Sequence, residues 1–228
     1  TPYVLLNYQE NLNSVFTLAH EMGHSMHSFY SKKEQPYANS SYTIFLAEIA
    51  STVNENLLLR DLLAKATDKR EKLMLLNHFL EDFRATVFRQ TMFAEFEKII
   101  HEEVEKGGAL TEEFMSQVYL QLNADYFGPD VVLDEPIALE WARIPHFYRG
   151  FYVYKYATGF SAAIAFAGRI LQGEPQAVEK YLGFLAAGDS DTPLAILQKA
   201  GLDMSSPAPI TAALQEFSAM MQEMENLL

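Results

Sequence analysis

The run His20-Glu21-Met22-Gly23-His24 constrains this chain more than any other stretch of its sequence. On a helix, residues i and i+4 share one face one turn apart, so two imidazoles at that spacing converge on a single point. Phe16, Leu18, Ala19, Met22 and Met26 surround them and are apolar enough to bury most of that helix. Buried imidazoles need polar partners, and one metal ion serves both. Zinc is the natural ion, at about 2.0–2.1 Å from imidazole nitrogen. Glu21 projects from the neighbouring flank, where a carboxylate reaches a water on the ion without ligating it. The competing reading is a pair of hydrogen-bonded core histidines.

Two imidazoles leave a third protein ligand to be found. The chain has no cysteine, so that ligand is a carboxylate or a distant histidine. A metzincin continuation needs Gly at position 27 and His at position 30; His27 and Tyr30 stand there instead. His27 shares the face of His20 and His24, but it rises about 10.5 Å along the axis from His20, too far for one tetrahedral ion. It is expected to support the site or the core. A second helix over residues 42–64 carries an apolar stripe of Phe45, Leu46, Ile49, Val53 and Leu57, with Glu48, Thr52 and Glu55 on the other flank. By periodicity alone that polar stripe reads equally well as a solvated face. Packed antiparallel against the first helix, it brings Glu48 level with the two histidines and makes Glu55 an acceptor for an imidazole N–H.

Helical patterning covers most of the remaining chain, over residues 14–29, 42–64, 68–105, 111–126, 152–171, 175–186, 193–200 and 209–228. Ser40 or Ser41 is the expected cap of the second helix and Thr111 that of the fourth. Residues 3–8 are rich in β-formers and predict one short strand. The expected fold is therefore all-α, a zincin-type helical core with a minor N-terminal strand. Its 228 residues, 49% hydrophobic and 21% charged, suit a single helical catalytic domain over residues 1–228. No apolar run approaches membrane-span length, so no membrane partner is expected. A net charge of −13 repels phosphate backbones and argues against nucleic acid. The missing cysteines suit a cytoplasmic location, although many secreted bacterial proteins also lack them. The sequence opens with Thr1-Pro2 and not with Met, and is expected to be part of a longer chain.

One further segment is unusual. Residues 145–156 hold His146 and four tyrosines, Tyr148, Tyr152, Tyr154 and Tyr156. Tyr152 and Tyr156, at i and i+4, are expected to share a helical face. Tyrosines on helices ordinarily border the core. His78 and His101 have no evident partners.

Three stretches carry a family resemblance. The first is Phe16-Thr17-Leu18-Ala19-His20-Glu21-Met22-Gly23-His24-Ser25-Met26-His27. The second is Leu46-Ala47-Glu48-Ile49-Ala50-Ser51-Thr52-Val53-Asn54-Glu55. The third is Ile144-Pro145-His146-Phe147-Tyr148 with residues 151–159. Together they resemble the thimet oligopeptidase and oligoendopeptidase F family of zinc peptidases. The resemblance implies a helical fold around a deep channel and cleavage of short peptides. It implies one zinc ion on His20, His24 and Glu48, with Glu21 as catalytic carboxylate. It also implies that His146 with Tyr152 or Tyr156 stabilises an oxyanion, and that residues 3–8 hold extended substrate by β-addition. Members of that family are longer, so the missing amino-terminal part of this chain is an expected partner. A non-catalytic, truncated zinc-binding fragment is the alternative.

Overall fold

Asn11 sets the start of the first helix: its side chain accepts a hydrogen bond from Ser14 N at 2.9 Å, and Ser14 Oγ accepts one from Gln9 N at 3.0 Å. The first bond satisfies an amide that a helix start otherwise leaves open. In the computed structural model, which describes residues 2–228, this helix is α1, Leu12–Glu34. It is longer at both ends than the patterning predicts. A 3-10 turn at Tyr37–Asn39 leads to α2, Ile44–Lys65. Thr43 is the cap residue of α2, in place of the expected Ser40 or Ser41, and no side chain there bonds the helix start.

The expected long helix over residues 68–105 is divided. It comprises α3, Lys69–Phe83, a π-helical turn at Arg84–Phe88, and α4, Arg89–Glu105. Then follow α5, Glu112–Phe127; α6, Tyr154–Leu171; α7, Ala177–Ala186; α8, Pro193–Lys199; and α9, Ala208–Leu227. Thr111 caps α5 as expected, accepting from Phe114 N at 3.2 Å. Two 3-10 turns, Glu135–Arg143 and Pro145–Tyr148, lie between α5 and α6, where the sequence carries no helical patterning.

Residues 3–8 form no strand. Their β-forming side chains have no partner strand among the described residues, and Tyr3 and Leu5 are 94% and 100% exposed. An unpaired extended segment gains no ladder hydrogen bonds, so propensity alone does not make it a strand. The fold is all-α. Among the described residues, no helix is long and apolar enough to cross a membrane.

The chain divides into two compact units: one runs up to Phe83 and resumes over Thr158–Leu228, and the other is Arg84–Ala157. In the first, α2 is the central helix. Its Leu46, Ile49, Ala50 and Val53 pack with Ala162, Ala163 and Phe166 of α6 and with apolar residues of α7 and α8. Burying such side chains contributes about 1.5–3 kcal/mol each for the larger ones. Gly188 ties the α1–α2 connection to the end of α7. It holds φ +53, and a Cβ there would meet Asn39 O, while Asp189 N donates to that same carbonyl at 2.9 Å.

In the second unit, Met92, Phe93 and Phe96 of α4 pack with Tyr119 and Leu122 of α5 and with Ile144 and Val153. Glu140 is buried beside this core and accepts from Tyr119 Oη and Arg89 Nη2, each at 2.6 Å, and from Arg143. Burial alone would raise its carboxyl, but these hydrogen bonds and the two guanidinium charges hold it below the ordinary carboxylate range.

Candidate metal centre

The site is built where α1 and α2 lie against each other. Gly23 makes the approach possible: a Cβ at that position would stand 2.5 Å from Ser51 Cα, 2.7 Å from Ala50 O and 2.9 Å from Ser51 N. Those are backbone atoms of α2, which cannot swing aside. Asn54 Nδ2 donates to Ala19 O at 2.8 Å and fixes the register of the pair. Neither contact is visible in the hydrophobic pattern, although a glycine within an otherwise bulky helix hints at the first.

In this register His20, His24 and Glu48 converge. His20 Nε2 and His24 Nε2 are 3.1 Å apart, and Glu48 Oε2 lies 3.3 Å from the first and 3.7 Å from the second. A tetrahedral zinc with bonds of about 2.0–2.1 Å separates its ligand atoms by ~3.4 Å. The triangle has that size. Two imidazoles and a carboxylate are also a donor set that zinc accepts. All three side chains are half-buried.

Glu55 stands behind the triangle. Its Oε1 lies 2.5 Å from His20 Nδ1 and accepts the proton there, so that Nε2 is the ring nitrogen facing Glu48 and His24. Burial disfavours a charged His20, but the carboxylates of Glu48 and Glu55 outweigh it and push the imidazole up to about 10. Glu48 is held below its ordinary value, first by its hydrogen bond with His20. The carboxylates raise His20 and the imidazoles lower Glu48, the mutual attraction of opposite charges at this point.

Glu21 follows His20 on α1 and is half-buried. Its carboxylate takes part in no hydrogen bond or ion pair among the described residues. His27 stands apart from the triangle. It is 0% exposed, its ring is stacked on Tyr42 with centroids 3.6 Å apart, and neither ring nitrogen has a hydrogen-bond partner among the described residues. Burial drives its pKa down to about 3.

Within the second unit, His146, Tyr152 and Tyr156 form a cluster of their own. Ring centroids are 5.9 Å apart for His146 and Tyr152, 6.0 Å for His146 and Tyr156, and 5.6 Å for the two tyrosines. Tyr156 Oη lies 3.4 Å from His146 Nε2. The helical face expected to join Tyr152 and Tyr156 is not what joins them: α6 begins at Tyr154, and Tyr152 belongs to the turn before it. Glu97 and Phe151, which the sequence did not single out, hold that turn by a hydrogen bond.

Residues 1–216 match peptidase family M3. Oligopeptidase PepF of Bacillus subtilis (strain 168) is 53% identical over 227 residues, covering 100% of this chain and 34% of the relative. Group B oligopeptidase PepB of Streptococcus agalactiae serotype III (strain NEM316) is 47% identical, covering 99% of this chain and 38% of the relative. The crystal structure of oligoendopeptidase-F from Enterococcus faecium superposes with a TM-score of 0.86 at 51% identity, covering 95% of this chain and 39% of that one. The chain thus spans a little over a third of the length of the curated relatives it matches. It belongs to peptidase family M3.

Proposed function

We propose that this chain is the zinc-bearing catalytic portion of a metalloendopeptidase that hydrolyses short peptides. The observation that carries the reading is the triangle of His20 Nε2, His24 Nε2 and Glu48 Oε2, with edges of 3.1, 3.3 and 3.7 Å. By this reading the three residues hold one zinc ion. The ion supplies Lewis acidity, which lowers the pKa of water toward about 7 and polarises a carbonyl.

Glu21 accepts the proton of the attacking water as the new C–O bond forms at the scissile carbonyl. It then passes that proton to the amide nitrogen as the C–N bond breaks, so one carboxyl serves first as base and then as acid. A carboxylate already committed to an ion pair would serve poorly, and Glu21 has none among the described residues. Glu55 keeps His20 in the tautomer that ligates through Nε2. His146, Tyr152 and Tyr156 donate to the oxygen on which negative charge develops. That assignment rests on the family resemblance of their segment and on their mutual proximity. Short peptides are the proposed substrates because the relatives carry the names oligopeptidase and oligoendopeptidase F.

A quenched fluorescent peptide, assayed with and without chelator, tests the reading. The expected result is turnover that chelation abolishes and zinc restores. Glu21→Gln is expected to keep its zinc and lose at least about 10²-fold in kcat. Wild-type turnover by Glu21→Gln with verified zinc would overturn the role given to Glu21.

A further inference from the structure

The second unit contains a buried acid that the mechanism does not use. Glu97, on α4, is 2% exposed, and its Oε1 accepts a hydrogen bond from Phe151 N at 2.5 Å. Removing a carboxyl from water is costly, and a buried one persists where a specific donor meets it. The donor here is a backbone amide and not a cationic side chain. Glu97 therefore fixes main chain and has no ion pair among the described residues.

The residue it holds is itself unusual. Phe151 has φ +55, a left-handed conformation that non-glycine residues seldom adopt. Such a conformation persists where its surroundings determine it. Two contacts on Phe151 do so. Glu97 holds the Phe151 amide. His101, one turn further along α4, lies against the Phe151 ring with centroids 4.6 Å apart. His101 is steadied in turn, because its Nδ1 lies 2.7 Å from Glu97 O. On either side of the turn the chain is pinned by apolar packing: Phe147 meets Phe93 and Phe96, and Val153 is buried in the same core.

We infer that Glu97 is a positioning residue: by holding the Phe151 amide in a left-handed turn, it brings Tyr152 into one cluster with His146 and Tyr156. The inference rests on the functional reading given above for that cluster. Tyr152 is next in sequence to the held amide, whereas His146 precedes the turn and Tyr156 lies on α6. If the turn relaxes to ordinary negative φ, the direction of the chain at residue 152 changes, and the ring contacts of Tyr152 with His146 and Tyr156 are lost.

The test compares Glu97→Gln, which keeps an acceptor oxygen, with Glu97→Met, which keeps the volume without one, in the intact protein. Zinc content, kcat and KM on a fluorescent peptide, and hydrogen exchange of residues 148–153 are measured for each. Glu97→Met is expected to retain its zinc, to lower kcat about tenfold with KM nearly unchanged, and to speed exchange at the Phe151 amide. Glu97→Gln is expected to restore both readouts to within about threefold of wild type. Adding Tyr152→Phe to Glu97→Met is expected to cost less than the product of the two single effects, because Glu97 acts through Tyr152. Unchanged exchange at Phe151 in Glu97→Met overturns the inference. So does multiplicative behaviour of the double variant, or a Gln variant as impaired as Met. Should His146→Ala, Tyr152→Phe and Tyr156→Phe all keep wild-type kcat, the catalytic reading of the cluster fails, while the exchange measurement still decides whether Glu97 holds the turn.

Discussion

Gly23 of α1 and Ser51 of α2 approach so closely that a single methyl group on Gly23 would lie 2.5 Å from Ser51 Cα. Because His20 and His24 flank Gly23 on one helix, and Glu48 precedes Ser51 by three residues on the other, this contact sets the distance between the three converging atoms. Gly23→Ala is expected to push the helices apart, destabilising the fold by about 1–3 kcal/mol or more. The larger effect is expected on zinc, since the edges from Glu48 to the histidines lengthen together. Zinc titration and thermal unfolding of Gly23→Ala check this. Wild-type affinity would show that the helices tolerate the methyl group without opening the triangle.

Glu55 is the second lever. Its hydrogen bond to His20 Nδ1 at 2.5 Å would, with His20 as the proposed zinc ligand, fix the tautomer and raise the ligand's basicity. Loss of such a supporting partner typically costs 10–100-fold in metal affinity. Glu55→Ala is expected to weaken zinc binding by about that factor. Glu55→Gln keeps an acceptor oxygen and is expected to lose less. A competition titration against a chromophoric chelator measures both, and an Ala variant that binds as wild type would remove Glu55 from the account.

His27 makes stability sensitive to acid. Its ordinary pKa of 6.5 falls to about 3 in the fold because burial disfavours the charged ring. Between those values the unfolded chain binds a proton that the native protein does not, so stability falls as pH falls. The contribution is complete above pH 6.5 and is lost at up to about 1.4 kcal/mol per pH unit on the way toward about 3. His27→Phe keeps a flat ring against Tyr42 and cannot titrate. Between pH 6.5 and pH 5, wild type is expected to lose about 2 kcal/mol more than His27→Phe. Urea unfolding with chelator present throughout checks this, and equal losses would show that His27 does not report on acid.

The convergence of His20 and His24 was legible because helical spacing is rigid. Four residues make one turn, so His20 and His24 converge wherever that segment is helical. Glu48 was less legible: periodicity alone reads it equally well as a solvated residue, and only the supposed antiparallel pairing of α1 and α2 brings it level with the histidines. Signals that depend on tertiary context were not legible. Residues 84–88 contain neither proline nor glycine, and nothing in them marks the π turn that separates α3 from α4. Residues 3–8 have β-propensity, but a strand needs a partner, and propensity cannot supply one. Tyr152 and Tyr156 met as expected, though by a turn and not by a helical face. Glu97 looked like any acid on an amphipathic helix, because a carboxyl that binds a backbone amide 54 residues away leaves no mark in local pattern.

In the proposed function, two helices present three atoms to one zinc ion, and each of the three is needed. Calorimetric zinc titration of wild type, His20→Ala, His24→Ala and Glu48→Ala checks this. One zinc per chain is expected for wild type and a large loss of affinity, at least about 10²-fold, for each of the three variants. Wild-type affinity in Glu48→Ala, with binding still lost in the two histidine variants, would contradict it.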